Sequence, residues 1–305
     1  MNIRKHRQGF LATLAFVMLL SIPAPFANAA PSTAGVVSTP ELGIRECPRP
    51  DCETLTTIPL GEKVTVTADE NDGYLPVKHG DDTGWARALY LATDPEHVPF
   101  LDKGETGCKR IALIFNIGVG WEPDTGILDT LLQENVPATM FAMGWWADQH
   151  PSILNQMAKD GYEIGSHGYD GIELTGRPDA EVTHDIRDAT TAIGHATDST
   201  PAPYFTAFAA AMDERVRALV AGEGYLPVEA TVLTADWKAD ATEAMVYDRI
   251  MDGAEDGAIV ELHLDAPASA TSTGRALPRV ITDLRADGYR FVSIPEMAEP
   301  CVQAG

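Results

Sequence analysis

Basic residues are scarce in this chain of 305 residues. Its 22 lysines and arginines stand against 45 aspartates and glutamates, a formal net charge of −23. Such a chain repels polyanions, which argues against nucleic acid or an anionic membrane surface as a partner. Long apolar runs are also rare. Beyond residue 22 none approaches the ~20 residues that a membrane-crossing helix needs. There is no C-x-x-C and no close Cys/His set, so a zinc knuckle is not expected. Only five tryptophans occur, so where they fall carries information.

What is present begins with a stretch to set aside. Arg4, Lys5 and Arg7 precede an apolar run from Phe10 to Ile22, and Ala27-Asn28-Ala29 follows. A charged start, a short apolar segment and an A-x-A site are the pattern of an export signal, so residues 1–29 are expected to be cleaved. The remainder would hold 19 basic and 45 acidic residues, a net charge of −26. The expected location is extracytoplasmic, secreted or in the cell envelope, and not integral to a membrane. An exported chain can hold disulfides. Four cysteines allow three pairings. The expected set is Cys47–Cys52, which brackets a Pro-Arg-Pro-Asp turn, and Cys108–Cys301, which would tie together the ends of the long C-terminal region.

Residues 30–37, rich in Pro, Ser and Thr, read as a linker. From 38 to 93 short β-type runs alternate with turns: Val64–Thr67, then Asn71-Asp72-Gly73, Tyr74–Val77, Gly80-Asp81-Asp82 and Trp85–Arg87. Several short strands at that spacing predict a small all-β barrel. Residues 94–107 read as a second linker. From 108 to 305 strand and helix signals alternate. Ile111–Phe115, Ala138–Met143, Gly161–Gly165 and Ala258–Leu262 read as strands, while Pro151–Lys159, Asp179–Gly194 and Glu243–Gly253 carry helical spacing. Alternation of this kind predicts an α/β fold, parallel strands with helices outside.

The segments G-I-R-E-C-P (43–48), I-P-L-G-E-K-V-T-V (58–66), G-Y-L-P-V-K (73–78) and T-G-W-A-R-A-L-Y-L (83–91) together resemble the bacterial Src-homology-3-like domain. That resemblance implies binding to cell-wall glycan or peptidoglycan, with Trp85 and Tyr90 as candidates for a binding face.

In the larger region, V-P-A-T-M-F (136–141), A-K-D-G-Y-E-I-G-S-H (158–167) and L-R-A-D-G-Y-R-F-V-S-I (284–294) resemble the framework of NodB-type polysaccharide deacetylases. The resemblance implies a distorted (β/α) barrel and metal-dependent hydrolysis of acetylated sugars. The family's catalytic motifs are changed, however. T-F-D-D-G becomes I-F-N-I-G at 114–118, with Asn116 at the base position and Ile117 at a metal-ligand position. H-[S/T]-x-x-H becomes His167-Gly168-Tyr169-Asp170-Gly171, which keeps one histidine of two. R-P-P-Y-G has Thr206 for its arginine. D-x-x-D-W keeps Asp236 and Trp237 but has Leu233 at its first acid. L-x-H keeps His263, the family's general acid, with Leu262 or Val260 expected to line an acetyl-sized pocket.

Deacetylation of this type needs a metal to polarise the amide and lower the pKa of water, and a base to deprotonate it. Asparagine cannot serve as that base near neutral pH, and isoleucine and glycine ligate nothing. The expectation is a deacetylase-like domain without metal-dependent catalysis, needing no cofactor and acting in glycan or peptidoglycan binding or scaffolding. Tyr204, Trp237, Trp121, Trp145 and Trp146 are candidate sugar contacts. The alternative is an active N- or O-deacetylase with a rearranged site drawn from His167, Asp170, His184, Asp236 and His263, holding zinc or cobalt. A purely structural envelope protein is a third reading.

Overall fold

The computed structural model describes residues 33–94 and 98–301; the expected export signal lies outside them. The described residues fall in one compact unit. Among the described residues no helix is long and apolar enough to cross a membrane.

The N-terminal part is an antiparallel sheet of β1 (Thr33–Val37), β2 (Glu41–Arg45), β3 (Thr54–Pro59), β4 (Lys63–Val66), β5 (Tyr74–His79), β6 (Asp82–Arg87) and β7 (Leu91–Ala92). Its order is β3-β2-β6-β5-β4-β1-β7. Alternate residues turn inward, as the two-residue period of a strand requires, and Val37, Leu42, Ile44, Ile58, Val64, Val66 and Val77 close a small core. One expectation is corrected here. The stretch read as a linker at 30–37 forms β1 from Thr33 onward, paired with β4 from Thr33↔Val66 to Val36↔Lys63. The 94–107 stretch likewise does more than connect. Leu101 is buried and bridges to Val228, and the Gly104 N–H donates to the Gly257 carbonyl.

The second sheet is parallel throughout. It comprises β8 (Arg110–Ile117), β9 (Thr139–Ala142), β10 (Glu163–Ser166), β11 (Tyr204–Phe205), β12 (Leu226–Pro227), β13 (Val232–Leu233), β14 (Ala258–Leu262) and β15 (Arg290–Val292). The order is β12-β11-β10-β9-β8-β14-β13, with β15 also paired to β8. Strand β8 is central and buried along its whole length. Helices α1 (Thr125–Gln133), α2 (Gly144–Gln149), α3 (Pro151–Lys159), α4 (Asp179–Thr197), α5 (Glu214–Gly222), α6 (Glu243–Gly253), α7 (Thr273–Ala286) and α8 (Ile294–Ala298) complete the domain. Local chemistry sets several of their starts. The carboxylates of Asp124 and Asp213 and the hydroxyl of Thr242 accept from free backbone N–H groups at the first turns of α1, α5 and α6.

The alternation along β8 and β14 organises the domain. Ile111, Leu113, Phe115 and Ile117 pack with Ala258, Val260 and Leu262 in the core shared with α1, α3, α6 and α7. Ala112, Ile114 and Ile259 turn to the other face, where Leu101, Tyr204, Val292, Ile294 and Met297 cover them. The next residues on that face are Asn116 and Glu261, at the C-terminal ends of their strands. Both expected disulfides are present, Cys47–Cys52 and Cys108–Cys301.

The barrel is fastened to this domain by named bonds. Arg87 donates through Nη2 to the Ala298 carbonyl at 2.7 Å, and the Tyr90 and Tyr204 hydroxyls lie 3.2 Å apart.

Candidate functional site

Parallel sheets gather chemistry at the C-terminal ends of their strands, where the loops meet. Here those ends surround a cavity of about 750 Å³, with Asn116, His167, Glu261 and His263 among its polar lining and Met143, Trp145, Phe208 and Trp237 among its apolar lining. Exposed large hydrophobic residues gather at the same end. Val119, Leu233 and Trp237 line the cavity and are exposed, and Trp121, 58% exposed, follows in the same loop as Val119.

A directed chain of hydrogen bonds crosses the site. His167 Nδ1 lies 3.0 Å from the Thr206 carbonyl oxygen and 2.8 Å from Thr206 Oγ1. A carbonyl can only accept, so the proton sits on Nδ1 and Nε2 keeps its lone pair. Thr206 Oγ1 then donates to Asn116 Oδ1 at 2.8 Å, and Asn116 Nδ2 donates to Glu261 Oε1 at 2.7 Å. Every donor in the chain points toward the Glu261 carboxylate. Burial, reinforced by the nearby His263, lowers the His167 pKa to about 3, against the hydrogen bond to the Thr206 backbone. His167 is therefore neutral in the folded protein.

A second polar group stands beside it. His263 Nδ1 lies 2.7 Å from Asp236 Oδ1, and the His263 backbone N–H donates to Asp236 Oδ2 at 2.9 Å. Thr273 Oγ1 donates to the same oxygen at 2.6 Å. Asp236 is completely buried, so these partners replace its water. Burial alone would lower the His263 pKa. The hydrogen bond and charge of Asp236, with Glu261 and Asp265 behind it, outweigh burial and raise it.

The structure thus brings together Asn116, His167, Asp236, Trp237 and His263 from four separate motifs. Other expectations need correction. Leu262 is fully buried among Leu113, Val260 and their neighbours, and Val260 is buried there too. With a two-residue period, the cavity-facing residue is the one between them, Glu261. Tyr204 is buried and meets Tyr90 between the barrel and the sheet, away from the cavity lining. Trp85 sits in β6 opposite Arg45 and Pro76. Trp146 is fully buried in α2, whereas its neighbour Trp145 lines the cavity. Asp170 is exposed, and its backbone N–H is held by Asp185 Oδ1. His184 is a solvated helix residue 3.1 Å from Asp188.

Three contributors escaped sequence reasoning: Glu261, Asp185 and Asp265. Asp265 is buried, and its Oδ2 accepts from the N–H groups of Gly118 and Gly120, which shapes the loop after β8. The alternation along Ala258–Leu262 could have found Glu261. Nothing local marks the other two.

A divalent ion of the deacetylase type would need three donors here. Ile117 belongs to the apolar core on the helix side, and Gly171 has no side chain. His167 Nε2 alone remains of that set. Among the described residues no group of three or more His, Cys, Asp or Glu side chains could hold a metal ion. The residues present do not fit the ion, and no step through it is derived.

Comparison with known proteins agrees with this architecture. Residues 103–228 match the family model described as polysaccharide deacetylase, and residues 40–92 match the bacterial SH3 domain. Peptidoglycan-N-acetylglucosamine deacetylase PgdA of Listeria monocytogenes is 33% identical over 230 residues, covering 75% of this chain and 47% of that protein. The chain therefore spans about half the length of that relative. Among solved structures, the Bc1960 peptidoglycan N-acetylglucosamine deacetylase superposes with a TM-score of 0.61 at 25% identity, over 65% of this chain and 92% of that one. Wild-type BA3943 of Bacillus anthracis, described as a CE4 family pseudoenzyme, gives 0.62 at 21% identity over 78% of this chain and 83% of its own. At that identity the likeness speaks to fold alone.

Proposed function

We propose that this chain, which carries a polysaccharide deacetylase domain behind a bacterial SH3 domain, is an extracytoplasmic wall-associated protein that binds glycan without hydrolysing it by the family's metal route. The observation that carries the reading is the state of position 116. Where a base should stand, Asn116 is locked between Thr206 and Glu261, with both polar atoms of its side chain engaged. An asparagine so held neither takes a proton from water nor turns toward an ion. Ile117 and Gly171 remove two of the three metal donors and leave His167 alone.

What is retained supports binding. The cavity is open at the strand ends, and the indole of Trp237 stands half-exposed at its edge. Flat aromatic faces beside a polar floor suit the alternating apolar and hydroxylated surfaces of a sugar ring. The barrel, fastened by Arg87 and Tyr90, would hold the chain on the wall while the cavity faces a strand of it. Two disulfides and relatives named as peptidoglycan deacetylases favour an envelope location.

The test uses the full chain. Zinc and cobalt content after metal exchange, deacetylation of peptidoglycan and chitooligosaccharides, and co-sedimentation with purified wall are measured together. The expected result is substoichiometric metal, no acetate released and retention on the wall. Stoichiometric metal at His167 with acetate release that disappears in His263→Ala would overturn it.

A further inference from the structure

Glu261 ends the hydrogen-bond chain, which accounts for only one of its two carboxylate oxygens. It sits on the inward face of β14, at a height where Ile259 below it is apolar and covered. Its Oε1 accepts from Asn116. Among the described residues Oε2 has no hydrogen-bond partner and no ion pair, and the side chain lines the cavity. Glu261 is partly buried, its charge acts on His263 across the same cavity, and Lys238 lines that cavity too, yet Oε2 itself is left for water or a ligand to answer. His167 adds a second acceptor, since Nδ1 carries the proton and the ring lines the same space. The floor thus offers a carboxylate oxygen and an imidazole lone pair, walled by Trp145, Trp237 and Phe208.

We propose that this cavity recognises a primary ammonium group on a sugar, the de-N-acetylated glucosamine unit of a wall or chitin-type glycan, with Glu261 as its counter-ion. The inference rests on the glycan-binding reading above and specifies its ligand. An alkylammonium brings three donors, which answers Glu261 Oε2 with a charge-assisted bond and His167 Nε2 with a neutral one. The faces of the indoles add cation–π attraction. An N-acetyl group in the same place would do the reverse. Its methyl would strip water from Glu261 and return no donor, leaving a desolvated charge unpaired. The cavity therefore favours the amine and penalises the amide. The strongly acidic chain adds a long-range field of the same sign.

That long-range field makes a control essential, because any cationic oligosaccharide is attracted to so acidic a protein. Calorimetric titration of the full chain at 150 mM salt compares the glucosamine trimer with the N-acetylglucosamine trimer. Glu261→Leu removes the counter-ion. Glu261→Gln keeps the size and an oxygen for Asn116, and covers the case where the leucine variant folds poorly. Asp252→Asn removes the same unit charge from an exposed site on α6. The expected outcome is a preference of about tenfold or more for the glucosamine trimer, lost in both Glu261 variants and kept in Asp252→Asn. Equal or tighter binding of the acetylated trimer would overturn the amine assignment while leaving glycan binding intact. A preference undiminished in both Glu261 variants, or lost equally in Asp252→Asn, would overturn it as well. Binding of neither trimer would overturn both readings.

Discussion

Asn116 and Glu261 face each other from neighbouring parallel strands, with the amide nitrogen of one 2.7 Å from a carboxylate oxygen of the other. Asn116 stands where the deacetylase resemblance leads one to expect an acid, and Glu261 places an acid on the neighbouring strand. The two side chains are complementary. The amide of Asn116 supplies the donor that keeps the Glu261 carboxylate satisfied on one side.

Restoring the acid at 116 alone should therefore harm the protein. In Asn116→Asp two carboxyl groups would stand at hydrogen-bond distance, and one must keep a proton. Its folded pKa rises above the unfolded value, so the native state binds more protons and stability falls as pH rises. The deficit should be small near pH 4 and reach about 1–3 kcal/mol at pH 8. Thermal melts across pH measure it. Adding Glu261→Leu should remove most of the pH dependence. A variant as stable as the parent at pH 8 would show that the two side chains do not share this space.

His167 makes the opposite contribution. Burial lowers its pKa to about 3, against 6.5 in the unfolded chain. Between those values the unfolded state takes a proton that the native state refuses, so stability falls as pH drops from about 6.5 toward 3. His263, with a raised pKa, contributes stability below about 6.5 that is lost as pH rises through its folded value, so the two histidines partly offset each other. His167→Gln should flatten the acid side of the stability profile by several kcal/mol at most. Denaturant titrations of both proteins at pH 7 and pH 4.5 give the difference. An unchanged difference between the two pH values would refute it.

The barrel should respond to loss of Arg87. Its guanidinium, mostly buried, reaches the carbonyls of Gly73 and Ala298 and lies above the Tyr74 ring. Arg87→Met keeps the apolar stem but orphans the two carbonyls. A loss of about 1–3 kcal/mol is expected in thermal or denaturant unfolding. A variant about as stable as the parent would mean that Arg87 does not fasten the barrel to the larger domain.

The sequence made the two architectures legible because their signals are local and repeated. The helix bounds Pro151–Lys159 and Glu243–Gly253 and the strand Ala258–Leu262 appear in the structure as read. Their apolar spacing is imposed by burial on one side, which composition alone transmits. Strand β1 was hidden for the converse reason. Thr33–Val37 lies in a segment whose Pro, Ser and Thr content reads as a linker, and only pairing with Lys63–Val66 makes it a strand. Helix α2 is six residues long, too short for periodicity to show. At the site, the losses at 116, 117, 171, 206 and 233 could be read from motifs. Their consequence could not, because the bonds from His167 through Thr206 and Asn116 to Glu261 span four strands or strand ends far apart in sequence.

The His263–Asp236 pair survives intact and gives the last test. Asp236 is fully buried and accepts three hydrogen bonds, from His263 Nδ1, the His263 backbone and Thr273. It is the main influence holding the His263 pKa above 6.5 against burial. In Asp236→Asn the negative charge is gone while burial remains, so the imidazole should lose its proton at a pH below 6.5. Proton NMR of the His263 ring across pH reads this directly. A midpoint displaced downward by at least one unit is expected, equivalent to about 1.4 kcal/mol of lost interaction. The same substitution should lower stability most below pH 6.5, where the native imidazole carries its proton opposite the carboxylate, and less at high pH, where it does not. If the ring titrates at the same pH in both proteins, Asp236 does not set the charge of His263, and the pair is a packing contact rather than a retained ionic one.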